Sequence, residues 1–76
     1  MPTLLVVEGL WFSFFSGDGV EPPHVHVSKG GAAGKTWLGP VRVEYAFTRS
    51  ELRRVREICV EHEASFLERW HEYFGR

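Results

Sequence analysis

The strongest constraint on the fold is an apolar stripe that runs through the last part of the chain. Its members recur every three or four residues and are Leu52, Val55, Cys59, His62, Phe66, Trp70 and Tyr73. On a helical wheel, at ~100° per residue, they fill one arc about 80° wide. Thr48 followed by Glu51 is a capping-box pattern, and Gly75 is a natural C-terminal stop. The stripe predicts one long helix over 48–75, with a break near Ala64-Ser65 as an alternative.

The chain before Thr48 has the turn pattern of a sheet. Short apolar or alternating segments, separated by turns rich in Gly and Pro, predict strands over 4–7, 10–15, 24–28, 35–38 and 41–45. The predicted fold class is therefore α+β, in a single domain over 1–76 with a β half (1–47) and a helix (48–75). In this domain the long C-terminal helix packs on one face of a four- to five-stranded, mostly antiparallel sheet.

Composition narrows the function classes. A chain of 76 residues has a marginal core, and large aromatic side chains, 14% of the sequence, compensate for that. The net charge of −1 and the pI of about 6.4 create no overall field that attracts nucleic acid or membrane. The single cysteine, Cys59, excludes an internal disulfide framework. With neither a signal-peptide pattern nor a run of about 20 apolar residues, the expected location is cytoplasmic, with no membrane partner.

Alternation along the strands assigns side chains to two faces of the sheet. Six apolar residues are expected to face the helix: Phe12, Phe14, Val25, Val27, Val41 and Val43. The opposite face, called the open face below, then collects Trp11, Ser13, Phe15, His24, His26, Ser28, Lys35, Trp37, Arg42 and Glu44. One helix covers only one face, so the open face is predicted to meet water or a partner.

Several motifs occur in an order that carries a resemblance. They are Pro2-Thr3, Gly9, the Pro-Pro-His-Val-His-Val run from Pro22 to Val27, Lys35-Thr36-Trp37-Leu38 and Trp70. This ordered set resembles the bacterial family known only as domain of unknown function 4160, over nearly the whole chain. Many members of that family carry an Asp-His pair before the prolines. In this chain Asp18 is followed by Gly19, so any role of the extra histidine is lost.

The resemblance implies a modest set of properties. Family members are small bacterial proteins, often encoded beside another small protein, and are suspected of forming toxin–antitoxin-like pairs. The leading hypothesis is thus an interaction module, one component of such a two-protein system. It would bind a small protein partner encoded nearby, or itself as a homodimer, through the open face. Whether the protein is an enzyme stays open, and no reaction follows from the resemblance.

His24 and His26 are the candidate catalytic residues. Two residues apart on a strand, they point the same way and could perform acid–base chemistry near neutral pH. This alternative makes the protein an RNA-binding toxin or ribonuclease, with Lys35 or Arg42 holding phosphate. Ordinary polar residues on a solvent-facing strand are the plain alternative.

A metal-binding regulator is the third hypothesis, with His24 and His26 as ligands. It is less favoured because structural zinc usually takes four ligands. Cys59 and His62 lie in the helix stripe, under the other face of the sheet, where a small buried thiol and an edge-of-core histidine are expected. No cofactor is therefore predicted.

Two further groups are candidate binding residues. Trp11, Phe15 and Trp37 beside Lys35 and Arg42 combine aromatic and basic groups, as RNA-binding sheets and protein interfaces both do, and the acidic pI favours a protein.

A basic group also lies at the start of the helix: Arg49, Arg53, Arg54 and Arg56. The helix dipole disfavours cations there by ~0.3–1 kcal/mol each, which suggests a phosphate ligand. Simple pairing, such as Arg53 with Glu57, is the favoured explanation.

Overall fold

The computed structural model describes residues 3–44 and 48–75, which form one sheet and two helices. The sheet consists of β1 (Thr3–Val7), β2 (Leu10–Ser13), β3 (His24–Lys29), β4 (Ala32–Trp37) and β5 (Arg42–Glu44). The strands lie side by side in chain order, and each pairs antiparallel with the next. The predicted α+β class and antiparallel sheet are confirmed. Pro2 and Tyr45, which figured in the sequence predictions, lie outside the described residues.

Two strand boundaries differ from the prediction by two residues or more. β4 begins at Ala32, earlier than predicted, because two glycines suffice to turn the chain after β3. Gly30 takes a positive φ of 58°, which suits a two-residue hairpin. β2 ends at Ser13, and Phe14 and Phe15 lead into a 3₁₀ turn over Ser16–Val20.

The predicted single helix is two helices, α1 (Arg49–Glu61) and α2 (Glu63–Phe74). They meet at His62, slightly before the alternative break at Ala64-Ser65. A straight helix over 48–75 would be about 40 Å long at 1.5 Å per residue. The longest dimension of the fold is 34 Å, so the break keeps both helices on the sheet. The N–H of Gly39 donates to Glu63 Oε2 at 2.7 Å, which ties the start of α2 to the β4–β5 turn.

Both predicted helix ends are confirmed. Thr48 Oγ1 accepts the N–H of Glu51 at 3.3 Å, and Glu51 Oε1 accepts the N–H of Thr48 at 3.3 Å. Gly75 takes a left-handed conformation, with φ 70°, directly after α2. No helix among residues 3–44 and 48–75 is long and apolar enough to cross a membrane.

The core lies between the sheet and the two helices. Its buried members are Leu10, Phe12, Phe14, Val25, Val27, Leu38, Val55, Ile58, Cys59, Phe66 and Trp70. The ring of Phe12 stacks on Phe66 at 5.7 Å, and Phe14 meets Trp70 edge-on at 5.2 Å. The stripe and the inner sheet face are thus placed as predicted. At their margins, Val41, Val43 and Leu52 are half-buried and Tyr73 is exposed.

Candidate metal centre

The loop before β3 carries Asp18 to the two histidines of that strand. The N–H of Phe15 donates to Asp18 Oδ2 at 2.8 Å, and the N–H of Asp18 donates to the carbonyl of Phe15 at 3.0 Å. Gly19 lies against Phe74, where a Cβ atom would come within 2.7 Å of Cδ1 of that ring. The loop is therefore closed by its own hydrogen bonds and packed against the end of α2, which holds the Asp18 carboxylate in place.

His24 begins β3 and is completely buried. Its ring lies between the indoles of Trp37 and Trp70, with centroid distances of 5.1 and 5.3 Å. Nδ1 lies 2.9 Å from the carbonyl oxygen of Pro22. A carbonyl only accepts, so Nδ1 carries a proton and donates it. Nε2 is the nitrogen that bears no proton when the ring is neutral, and it is buried without a hydrogen-bond partner among the described residues.

The expected exposure of His24 is wrong. Pairing with Trp37 places it on the open face, in the predicted register. Its exposed fraction is nevertheless 0%, because the indoles of Trp37 and Trp70 both pack against the imidazole. Strand alternation predicts the face on which a side chain lies, but it does not predict what covers that face.

His26 brings a second imidazole to the same carboxylate. Its Nε2 lies 3.1 Å from Oδ1 and 3.0 Å from Oδ2 of Asp18. Nε2 of His24 lies 3.3 Å from Oδ1 of Asp18. One ligand atom from each of the three residues lies within 4.8 Å of the other two. His26 keeps part of its surface in solvent beside the ring of Phe15, 4.2 Å away.

The electrostatics of this cluster favour a cation. Burial raises the pKa of Asp18, but the N–H of Phe15 and the imidazole of His26 outweigh it, so that the pKa lies below its usual value. The carboxylate therefore faces Nε2 of His24, an acceptor facing an acceptor in the neutral ring. A proton or a metal ion between them removes the repulsion. Ligands of a tetrahedral zinc, at bond lengths of about 2.0–2.2 Å, lie about 3.3 Å apart. Oxygens of Asp18 lie 3.3 Å from Nε2 of His24 and 3.0 Å from Nε2 of His26, close to that separation.

A second carboxylate lies at the rim of the cluster. Oε1 of Glu21 is 3.6 Å from Nε2 of His24 and 3.3 Å from Nζ of Lys35. The ammonium of Lys35 also lies over the indole of Trp37, 4.8 Å from its centroid. Asp18, His24, His26, Glu21 and Lys35 thus form one connected polar network at the end of the sheet.

The other sequence-predicted residues of the open face either contact the histidine cluster or lie apart from it. Phe15, Lys35 and Trp37 contact the histidine cluster, as described above. Trp11 lies on β2, is 52% exposed and pairs across the strand with Val6, which is 48% exposed.

Arg42 is exposed on β5. Its guanidinium lies 3.6 Å from Glu44 Oε2. Through its pairing with Trp37, Arg42 is next to the cluster, but it forms no hydrogen bond to it within the described part of the chain.

The basic residues of α1 lie apart from this site. Arg49, Arg53 and Arg56 are exposed, and none has an ion-pair partner within residues 3–44 and 48–75. The predicted pair of Arg53 with Glu57 does not form there. Arg54 binds Glu8 at 2.7 Å and approaches Glu57 at 3.6 Å instead.

Cys59 and His62 take the structural roles expected of them. Cys59 is fully buried, and burial raises the pKa of its thiol to about 12. A protonated thiol is a poor metal ligand. His62 stacks on Phe66 at 5.8 Å, at the margin of the core.

Asp18 is the site residue that sequence reasoning missed. Its signal was present, since a carboxylate in the loop before a His-x-His strand is a third ligand of the right chemistry. The Asp-His element of the resemblance contained this carboxylate as well. Strand periodicity carries no information about Asp18, because this residue lies in a 3₁₀ turn.

Fold and site together define a small α+β protein whose sheet ends in a cluster of one carboxylate and two imidazoles. A family model described as "Domain of unknown function (DUF4160)" matches residues 9–71, a range that includes the whole cluster. The chain belongs to this family. Neither a curated protein nor a solved structure matches the chain.

Proposed function

We propose that this protein is a small metal-binding interaction module. Asp18, His24 and His26 hold a divalent transition-metal ion, and the open face beside them binds a protein partner. The resemblance suggests that this partner is the second component of a bacterial toxin–antitoxin-like pair, encoded nearby. One observation carries the metal proposal, namely the buried Nε2 of His24, unpartnered and 3.3 Å from the Asp18 carboxylate.

The ligand chemistry agrees with this proposal. Imidazole and carboxylate suit zinc, iron, copper and nickel, and two histidines with one carboxylate are a recurrent ligand set. The bond from Nδ1 of His24 to the carbonyl of Pro22 fixes the tautomer that presents Nε2, the usual outer-shell arrangement of a metal-bound histidine.

The same geometry weighs against the ribonuclease alternative. An acid–base pair needs both imidazoles within reach of the phosphate. Nε2 of His24 is buried, and the Asp18 carboxylate already lies 3.3 Å from it and 3.0 Å from Nε2 of His26. A phosphate would have to displace a carboxylate of its own charge.

The open face supports a protein partner over RNA. Val6, Trp11 and Phe15 are large apolar residues with about half their surface exposed, 48%, 52% and 43%. The two cations of this face are already within reach of carboxylates, Lys35 of Glu21 and Arg42 of Glu44. Exposed aromatic groups without free cations are typical of protein interfaces.

RNA binding is a second candidate, favoured by one observation. Arg49, Arg53 and Arg56 follow at i, i+4 and i+7 on α1 and form an exposed basic stripe. If RNA is the ligand, Arg53→Ala weakens binding and reduces its salt dependence. Arg54→Ala is the matched control, because Arg54 is held by Glu8.

Metal retention tests the proposal directly. Purified protein is loaded with zinc, dialysed against metal-free buffer and analysed for bound zinc. We expect one zinc per chain in the wild type and in His71→Asn, whose imidazole is exposed on α2. Asp18→Asn and His26→Asn should lose it. Equal zinc contents in all four proteins, or none in the wild type, would overturn the metal proposal.

Co-purification with the product of the neighbouring gene tests the interface. Tagged protein should retain this product, and Trp11→Ala should weaken the complex while leaving the urea midpoint within error of the wild type. The control is Val20→Ala, because Val20 is 86% exposed on the 3₁₀ turn. Expression alone and with the neighbour, scored by growth, then tells whether either component is toxic.

A further inference from the structure

We infer that Glu21 is the fourth ligand of this metal and that Lys35 competes with the metal for it. The inference rests on the proposed function and adds two things to it, the coordination class of the site and a residue that sets its affinity. A fourth protein ligand makes the site closed and structural, whereas three ligands leave a position for a substrate.

Glu21 is within reach of the metal position. Its Oε1 lies 3.6 Å from Nε2 of His24, the atom that faces Asp18. It is the only carboxylate besides Asp18 that contacts His24 or His26 among residues 3–44 and 48–75. A metal ion between Nε2 of His24 and Asp18 would therefore have the Glu21 carboxylate beside it.

The side chains of the four proposed ligands differ in how far they are free to move. Asp18 is held by the N–H of Phe15, and His24 by the carbonyl of Pro22. The Glu21 side chain is 44% exposed and is followed by Pro22-Pro23, which restrict the backbone but leave the side chain free to rotate. Glu21 is thus the mobile member that can close over a metal held by three fixed ligands.

Lys35 holds Glu21 in the structure described here. Its Nζ lies 3.3 Å from Oε1 of Glu21, so the ammonium and a metal ion would draw on the electrons of the same carboxylate and weaken each other's hold on it. An ammonium displaced from Glu21 would keep a cation–π contact, because it already lies 4.8 Å from the centroid of the Trp37 indole. Metal binding should therefore weaken the ion pair of Glu21 with Lys35, and this ion pair should weaken metal binding.

Zinc affinities of the wild type and three variants test this inference. They are measured by competition with a chelator for wild type, Glu21→Gln, Lys35→Met and Glu68→Gln, the last an exposed control on α2. We expect Glu21→Gln to weaken binding by about 10-fold or more, as the loss of a ligand or of its support does. Lys35→Met keeps the aliphatic stem and removes the competing charge, so it should tighten binding several-fold. Glu68→Gln should match the wild type.

Cobalt(II) gives a second readout, which reports geometry instead of affinity. Four-coordinate tetrahedral cobalt absorbs strongly in the visible range, and a site with added waters absorbs weakly. We expect the strong spectrum in the wild type and its loss in Glu21→Gln, with the fold of each variant checked by circular dichroism.

The outcomes separate the two proposals. If the wild type binds no zinc or cobalt, the metal function itself is wrong. If the wild type binds metal and Glu21→Gln has the same affinity and spectrum, the metal function stands and the fourth-ligand inference is wrong. An unchanged affinity in Lys35→Met would overturn the competition between Lys35 and the metal.

Discussion

The ring of Phe74, the last residue of α2, lies so close to Gly19 that a Cβ atom there would be 2.7 Å from its Cδ1. Gly19 follows Asp18 directly, so the end of the helical half presses on the turn that carries the site carboxylate. Phe74 cannot easily give way, because its ring also packs on Trp70 at 4.3 Å and on Phe14 at 5.8 Å.

Gly19→Ala should therefore destabilise the protein. We expect a loss of about 1–3 kcal/mol in the free energy of unfolding, the usual cost of overpacking, and a weaker hold on zinc because Asp18 shifts. Gly17→Ala is the matched control, since a Cβ atom at Gly17 would meet nothing within 4 Å. Urea unfolding of both variants gives the comparison, and equal midpoints would show that Phe74 yields freely.

Asp18 should make the free energy of unfolding decrease at acidic pH. Its pKa in the folded protein lies below the ordinary value of 3.8, so the folded state prefers the ionised form. This contribution is fully present above the unfolded pKa and is lost as the pH falls through the folded pKa. His24 and His26 face this carboxylate, and Glu21 lies beside His24. These groups titrate in the same experiment, so the effect of Asp18 is taken as the difference between wild type and Asp18→Asn at each pH.

The measurement is urea unfolding of wild type and Asp18→Asn from pH 7 to pH 2, with a chelator present. We expect Asp18→Asn to be less stable at pH 7 by about 1–3 kcal/mol, because the N–H of Phe15 loses a charged acceptor. The difference should shrink as the pH falls below about 4. A difference that is constant over the whole range would mean that the charge of Asp18 contributes nothing.

Phe66 should be a costly residue of the helix stripe to truncate. It is 2% exposed and stacks on Phe12 across the core. Phe66→Ala should lower the free energy of unfolding by about 3–5 kcal/mol. Val60→Ala, at a site on α1 that is 51% exposed, should change it by less than about 0.5 kcal/mol. Similar urea midpoints for the two variants would place Phe66 outside the core.

Cys59 should be inert in the folded protein. Burial raises the pKa of its thiol to about 12, and only the thiolate reacts with disulfide reagents. We expect very slow labelling at pH 8 in native buffer and rapid labelling in concentrated urea. Rapid labelling of the native protein would show that the core opens readily around α1.

Much of the scaffold could be predicted because periodicity reports burial directly. The stripe through Val55, Phe66 and Trp70 marks the buried side of the helices, and Val25 and Val27 mark the inner face of β3. The break at His62 could not be predicted in the same way. No Gly or Pro marks it, and it depends on the size of the sheet that the helices must cover.

Only the two histidines of the site could be predicted, because only they lie on a regular element. His24 and His26 share a face because they are two apart on a strand, which alternation predicts. Asp18 reaches them through a turn closed by the N–H of Phe15, and Trp70 buries His24 from the far end of the chain. Contacts made by irregular loops and by distant elements leave no periodic signal in the sequence.

The order of the strands has a consequence for the path of folding. Every strand pairs with its neighbour in the chain, so the sheet can close through short loops at a small entropic cost. The cover over His24 is different, because Trp70 must return from α2 to the start of β3. We therefore expect the sheet to form early and the pocket around His24 to be completed last, when the second helix docks. Before α2 docks, His24 and His26 would be exposed to water and not held in the geometry that a metal needs. We therefore expect metal binding and the docking of α2 to occur together.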